Sequence, residues 1–181
     1  YVGVIARQDQ VENILDIADY IVRKRQREDI KFVIVGTGPD VKHVMQRSLE
    51  MGLERFVQFT GYIPDRDFYD ILATSDVCIN PEFGNAFTDK STMMKVMEYM
   101  AVGKPVVQFY TTEGDYSAGE AAVSVRENRV DKFGDALLEL LADPERRRRM
   151  GAFGRKRVED SLEWAKQKER LKEAYRRLFG V

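Results

Sequence analysis

Short β-branched runs alternate with longer amphipathic stretches along most of this chain, and that alternation restricts the fold more than any other feature. Runs at Val2 to Ile5, Lys31 to Val35, Phe56 to Thr60, Val77 to Asn80, Val106 to Phe109 and Ala122 to Val125 read as strands. Each is nearly continuous in apolar residues, as expected of strands covered by helices on both faces. Strands separated by helix-length segments build βα units, and these pair in parallel.

The intervening segments carry helical spacing. Val11, Ile14, Leu15, Ala18, Ile21 and Val22 form one apolar stripe, and Val41, Val44, Met45 and Leu49 form a second. Asp65 to Ala73 is shorter, with Phe68, Ile71 and Leu72 inward. Met93, Val96, Met97 and Met100 mark a fourth helix, its methionines read as core filler. From Val130 the pattern is helical almost to the end, with Phe133, Leu137, Leu138 and Leu141 inward. Asp143-Pro144 interrupts it, Pro144 opening the next helix. A last helix carries Leu171, Ala174, Tyr175, Leu178 and Phe179. The expected architecture is one α/β domain over residues 1–181: a doubly wound, Rossmann-like parallel sheet of about six strands, with helices on both faces and a helical C-terminal tail.

Several function classes drop out. With 29 Lys and Arg against 30 Asp and Glu, no basic field argues for nucleic acid. One cysteine, Cys78, excludes an internal disulfide framework and a cysteine metal cluster. Its apolar neighbours make it a buried strand thiol, consistent with a reducing, cytoplasmic setting. No run reaches the roughly 18 apolar residues of a membrane span. The basic run Glu145 to Arg149 reads as a solvated helix face, and His43 as a surface or capping residue. The chain opens at Tyr1 directly into an apolar run, without a methionine, so a fragment of a longer protein is expected.

Ligands of open parallel sheets bind beyond the carboxyl ends of the strands, near the point where the strand order reverses. Two loops stand out there. Val35-Gly36-Thr37-Gly38-Pro39-Asp40 precedes a helix, and its glycines allow close approach of an anion or simply a tight turn. The other, Glu82 to Thr92, precedes the helix Met93 to Ala101, for which Asp89, Ser91 or Thr92 is the expected cap. The amides of Ser91 to Met93, beside Lys90, suit a pyrophosphate. Glu98 lies two turns into that helix, in an apolar setting. Such a glutamate either accepts hydrogen bonds from two ribose hydroxyls or pairs with Lys95 or Lys104.

Taken in order, Gly36-x-Gly38-Pro39, Phe59-Thr60-Gly61, Ser75-Asp76-Val77, Glu98-Tyr99-Met100-Ala101-Val102-Gly103-Lys104-Pro105-Val106-Val107 and Ala142-Asp143-Pro144-Glu145-Arg146, with Met150-Gly151 and Arg155, resemble the C-terminal domain of a family 4 (group 1) retaining glycosyltransferase of the GT-B fold. The resemblance covers essentially the whole chain. Asp89-Lys90-Ser91-Thr92-Met93 and Thr112-Glu113-Gly114 resemble a bacterial branch found among surface-polysaccharide and cell-wall glycan genes.

The resemblance implies a nucleotide-diphosphate sugar donor held by this domain, with a glycan or lipid-linked acceptor held by an N-terminal domain of the same chain. No cofactor and no metal are implied. The full-length enzyme is expected in the cytoplasm, with peripheral association at the membrane, and this fragment is expected to fold without transferring sugar alone. Glu98 corresponds to the second glutamate of the family's paired motif, which binds the donor ribose. The first would fall at Lys90, with Asp89 beside it as a substitute carboxylate. Typical members also place an arginine and a lysine at the first strand's exit to neutralise the leaving diphosphate. Here those positions are Val4 and Asp9, the usual glycine is Gln10, and Arg7 is the nearby cation. The substrate-binding set is therefore Glu98, Lys90, Asp89, Ser91, Thr92, Met93, Gly36, Gly38 and Arg7, with no general base identified. Two alternatives stand beside it: a GT-B sugar-nucleotide epimerase, and a non-catalytic nucleotide-binding or assembly module.

Overall fold

A computed structural model describes residues 1–180. Its strands are β1 (Phe32–Val35), β2 (Val57–Gly61), β3 (Cys78–Asn80), β4 (Val106–Phe109) and β5 (Ala122–Val125). Around them lie α1 (Glu12–Asp19, continued by a π-helical turn), α2 (Val41–Glu50), α3 (Asp65–Thr74), α4 (Met94–Ala101), α5 (Thr112–Ala118), α6 (Val130–Ala142), α7 (Pro144–Arg157) and α8 (Trp164–Phe179). Every strand pair is parallel: β1 with β2, β3 with β4, and β4 with β5.

Successive side chains of a strand point to opposite faces, so each strand feeds two cores. Ile34, Ile79 and Val107 join Ile14 and Leu15 of α1 and Phe133 of α6. Val35, Cys78 and Val106 join Val96, Tyr99 and Met100 of α4 and Ala118 of α5. This two-sided burial explains the nearly unbroken apolar strands. Ile14, Leu15, Tyr99 and Phe133 are completely buried, and a buried side chain of this size stabilises the fold by about 1.5–3 kcal/mol. The thiol of Cys78 is free and buried, and burial pushes its pKa up to about 11.

The strand count is five rather than about six, because Val2 to Ile5 does not form an independent strand. Its backbone is laced to β1: Val35 N–H donates to Tyr1 O, Gly3 N–H to Val35 O and Ile5 N–H to Thr37 O, at 2.9–3.1 Å. The pairing registers as an isolated bridge between Val2 and Val35. On its other edge no backbone bond joins this segment to β3 among the described residues. The Tyr99 hydroxyl stands between them, accepting from Val2 N–H at 3.0 Å and donating to Ile79 O at 3.4 Å. The sheet is therefore in two parts, β1–β2 and β3–β4–β5, that meet along this seam.

Two helices depart from the expected inward stripes. On α2 Val44 is buried, but Met45 and Leu49 are exposed. On α8 no residue is buried, and Leu171, Tyr175, Leu178 and Phe179 lie exposed. Pro144 does open α7, where the Asp143 side chain caps the helix by accepting from Arg146 N–H at 2.8 Å.

Candidate functional site

The first segment runs parallel to β1, and the residues that follow it are hydrogen-bonded to the loop after β3 through Asn13 to Pro81 O and Phe83 N–H to Gln10, so the loops after β1 and β3 leave at the same end. That end, around the seam, is where the expected residues fall.

The loop after β1 uses its glycines for packing. A Cβ on Gly36 would lie 1.9 Å from Gly3 O, and one on Gly38 would lie 2.3 Å from Ile5 O. Gly36 also has φ 130°, and its N–H is spent on Gly61 O at 3.0 Å. These glycines let two backbones meet; the Gly36 amide is not open to an anion, against that part of the expectation. A recess of about 460 Å3 lies between this loop and the first segment's exit, lined by Arg7, Gln10, Asp40 and His43 among others. Arg7 is exposed and its side chain has no hydrogen-bond or ion-pair partner among the described residues. His43 is a surface residue, its Nε2 2.8 Å from Glu12 Oε1.

None of the three expected caps serves α4, whose N-cap position is Met93 with no side-chain bond. Asp89 accepts instead from Thr112 N–H at 2.7 Å, at the start of α5, and this bond holds its pKa below the usual carboxylate range. Ser91 donates its hydroxyl to Phe87 O, and Thr92 donates to Glu113 Oε1 at 2.6 Å. Glu113 also accepts from Ser117, and the two hydroxyls lower its pKa. The Ser91 amide is taken by Thr88 O, whereas those of Thr92, Met93, Met94 and Lys95 have no acceptor among the described residues. The start of α4 is thus an uncapped cluster of donors at the positive end of a helix dipole. Lys90 precedes it, exposed and without a partner among the described residues.

Glu98 makes no hydrogen bond and no ion pair among the described residues. Both competing partners are engaged elsewhere: Lys104 Nζ donates to Ala73 O at 2.6 Å, and Lys95 Nζ to Glu82 Oε1 at 2.6 Å. Glu98 is exposed, yet its apolar neighbours partly desolvate the carboxyl and raise its pKa, and the charge of Lys95 opposes that rise. An unpaired carboxylate has all its acceptor capacity free for hydroxyl donors.

Sequence reasoning missed a cluster at the seam itself. Lys95 extends from α4 between the exits of the first segment and β3, 2.6 Å from Glu82 and 3.6 Å from Asp9. Its side chain is 12% exposed, Glu82's 6% and Asp9's 19%. Burial raises the Glu82 pKa despite the neighbouring ammonium. In sequence, Lys95 stood out only as one of two competing partners of Glu98. Glu82 and Asp9 lie too far from Lys95 along the chain for any local pattern to reveal them.

A second recess, about 450 Å3, opens at the other end of the strands near Val33, Asp76 and Leu137. None of the expected site residues lines it. Among the described residues, no group of three His, Cys, Asp or Glu side chains is placed to hold a metal, and no helix is long and apolar enough to cross a membrane.

Comparison with known proteins bears on this geometry. The family described as "Glycosyl transferases group 1" matches residues 1–143. A GDP-mannose-dependent monoacylated α-(1-6)-phosphatidylinositol monomannoside mannosyltransferase of Corynebacterium glutamicum is 32% identical over 148 residues, covering 80% of this chain and 38% of the relative. This chain thus spans about two-fifths of the length of the curated relatives it matches first. Among solved structures, an S. aureus TarM mutant in complex with fondaparinux, α-GlcNAc-glycerol and UDP superimposes with a TM-score of 0.82 at 17% identity, covering 100% of this chain and 35% of that one. The C-terminal domain of a group 1 family glycosyl transferase, LpcC, from Francisella tularensis gives 0.67 at 18% identity, covering 90% and 86%.

Proposed function

The chain belongs to the group 1 glycosyltransferases, and from that premise we propose that it is the donor-binding domain of a retaining enzyme. It would hold a nucleotide-diphosphate sugar, while an N-terminal domain of the full-length chain presents a glycan or lipid-linked acceptor. The observation that carries the reading is Glu98, an unpaired carboxylate two turns along a helix whose start is uncapped and flanked by an unpaired Lys90. Ribose hydroxyls suit the first, and a diphosphate suits the second. The relative's GDP-mannose and the TarM complex's UDP name different bases, so the donor class is proposed at the level of the nucleotide-diphosphate sugar.

Cleavage of the anomeric C–O bond through an oxocarbenium-like transition state leaves growing charge on the departing diphosphate. Preorganised donors answer that need without reorganisation. The amides of Thr92 to Lys95, Lys90 and Arg7 are the groups we assign to it, and this chemistry calls for no cofactor. For the full-length enzyme we propose a cytoplasmic location with peripheral membrane association.

A binding module without turnover is the second reading. It is favoured by Asp9, a carboxylate engaged with Lys95 where family members carry a phosphate-neutralising lysine. Calorimetric titration of the chain with UDP, GDP and ADP tests the donor assignment. Saturable binding of one of them supports it, and no binding of any removes it. Transfer assays on the full-length protein separate the two readings, because a module without turnover binds donor and transfers nothing.

A further inference from the structure

The first segment and β3 lack a backbone ladder, yet side chains tie their exits together. Gln10 is central to this. It has φ 47° and ψ 38°, a left-handed conformation uncommon for any residue but glycine, asparagine and aspartate. Glycine would adopt it without strain, so the side chain is what needs explaining. Its Oε1 accepts from Phe83 N–H at 3.0 Å and from Asn13 Nδ2 at 3.3 Å. Asn13 Nδ2 donates in turn to Pro81 O at 2.8 Å. The Phe83 ring packs edge-on against Phe109, with centroids 4.6 Å apart, so the loop leaving β3 is gripped by its backbone and by its ring.

We infer that Gln10 is a positioning residue, a latch that sets the loop from Glu82 to Thr92 against the first segment's exit. Through that loop it places Lys90 and the open amides before α4. The inference rests on the donor-site reading above. Gln10 belongs to neither hydrophobic core, and both cores run across the two parts of the sheet, so the fold survives release of the latch. What is lost is preorganisation, and binding to a loop that must first be ordered is weaker.

The test compares the wild-type chain with Gln10→Gly and Gln10→Glu, by amide hydrogen exchange over the loop and by titration with UDP and GDP. Gln10→Gly relieves the left-handed strain, so its unfolding midpoint is expected to match or exceed wild type. Exchange at Phe83 and across the loop is expected to accelerate by about tenfold or more, with diphosphate affinity falling by about tenfold. Gln10→Glu retains an acceptor oxygen for Phe83 N–H and is expected to keep the slow exchange. A purely structural role predicts the reverse for Gln10→Gly, with altered stability and unaltered affinity. Unchanged loop exchange in Gln10→Gly, or faster exchange at unchanged affinity, overturns the latch. If the wild-type chain binds neither of these nor ADP, the donor-site reading falls instead, and the exchange comparison still decides the latch.

Discussion

Replacing Tyr99 by phenylalanine removes one oxygen from the seam and nothing else. The ring is completely buried and keeps its packing. Val2 N–H, buried with its residue 3% exposed, loses the acceptor that stands 3.0 Å away. An unpaired buried donor costs about 1–3 kcal/mol. The 3.4 Å contact to Ile79 O is long for an O–H donor and adds little. Burying one hydroxyl fewer offsets part of the penalty, leaving about 1–2 kcal/mol. For a domain of this size each kcal/mol lowers the melting temperature by about 2–4 °C, so a drop of about 2–8 °C is expected. Thermal melts and urea titrations of both proteins measure it, with an unchanged m-value confirming that the folded and unfolded states compare like for like. An unchanged midpoint would refute the reasoning. Val2 would then reach another acceptor, and the first segment would pair with β3 directly.

The remaining expectations concern the site. Gly36→Ala puts a methyl 1.9 Å from Gly3 O at φ 130°, so soluble expression and cooperative unfolding should be lost; a normally folded variant contradicts the packing role. Lys95→Met strips the counter-charge from Glu82 and Asp9, and breaking such a buried pair is expected to cost about 3–5 kcal/mol by denaturant titration; an unchanged stability contradicts a buried pair. Lys90→Ala should weaken diphosphate binding, barely affect the bare nucleoside, and lose its effect in high salt; equal effects on both ligands would place Lys90 away from phosphate. The pH dependence follows from Glu98, whose folded pKa is raised. Its contribution to stability is present below the unfolded value of about 4.3 and is lost as pH rises through the folded value. Glu98→Gln should therefore gain stability over wild type near neutrality and not at about pH 4.

Much of the fold was legible because local pattern and tertiary role coincide. Val106–Phe109 and Ala122–Val125 form over the expected residues, β1 and β3 each start one residue later than expected, and β2 is shifted by one residue at both ends. The first segment was misread because its apolar run says nothing about its neighbour. Tyr99, which holds β3 off, lies far along the chain from Val2. Met45, Leu49 and the α8 stripe have helical spacing without a core to face, since periodicity shows which residues share a side and not what covers that side. At the site, Glu98 stood out as a charge in an apolar helix. The caps were misplaced because Asp89, Ser91 and Thr92 all have cap chemistry, and the spatial neighbours Thr112, Phe87 and Glu113 decide which bonds form. Lys95 was hidden for the same reason.

The central claim is that Glu98 stays unpaired because it is kept for the ribose of a nucleotide-sugar donor. Calorimetric titration of wild-type and Glu98→Gln chains with UDP and GDP, alongside their unfolding midpoints, tests it most directly. A carboxylate accepting two hydroxyls forms charge-assisted bonds, and the amide loses the charge and one acceptor, so about tenfold weaker binding is expected. The account predicts that loss for whichever diphosphate binds wild type, equally for the matching nucleoside, with a midpoint no lower than wild type. Undiminished affinity in the folded variant, or a lowered midpoint with affinity intact, would contradict it and make Glu98 a structural residue.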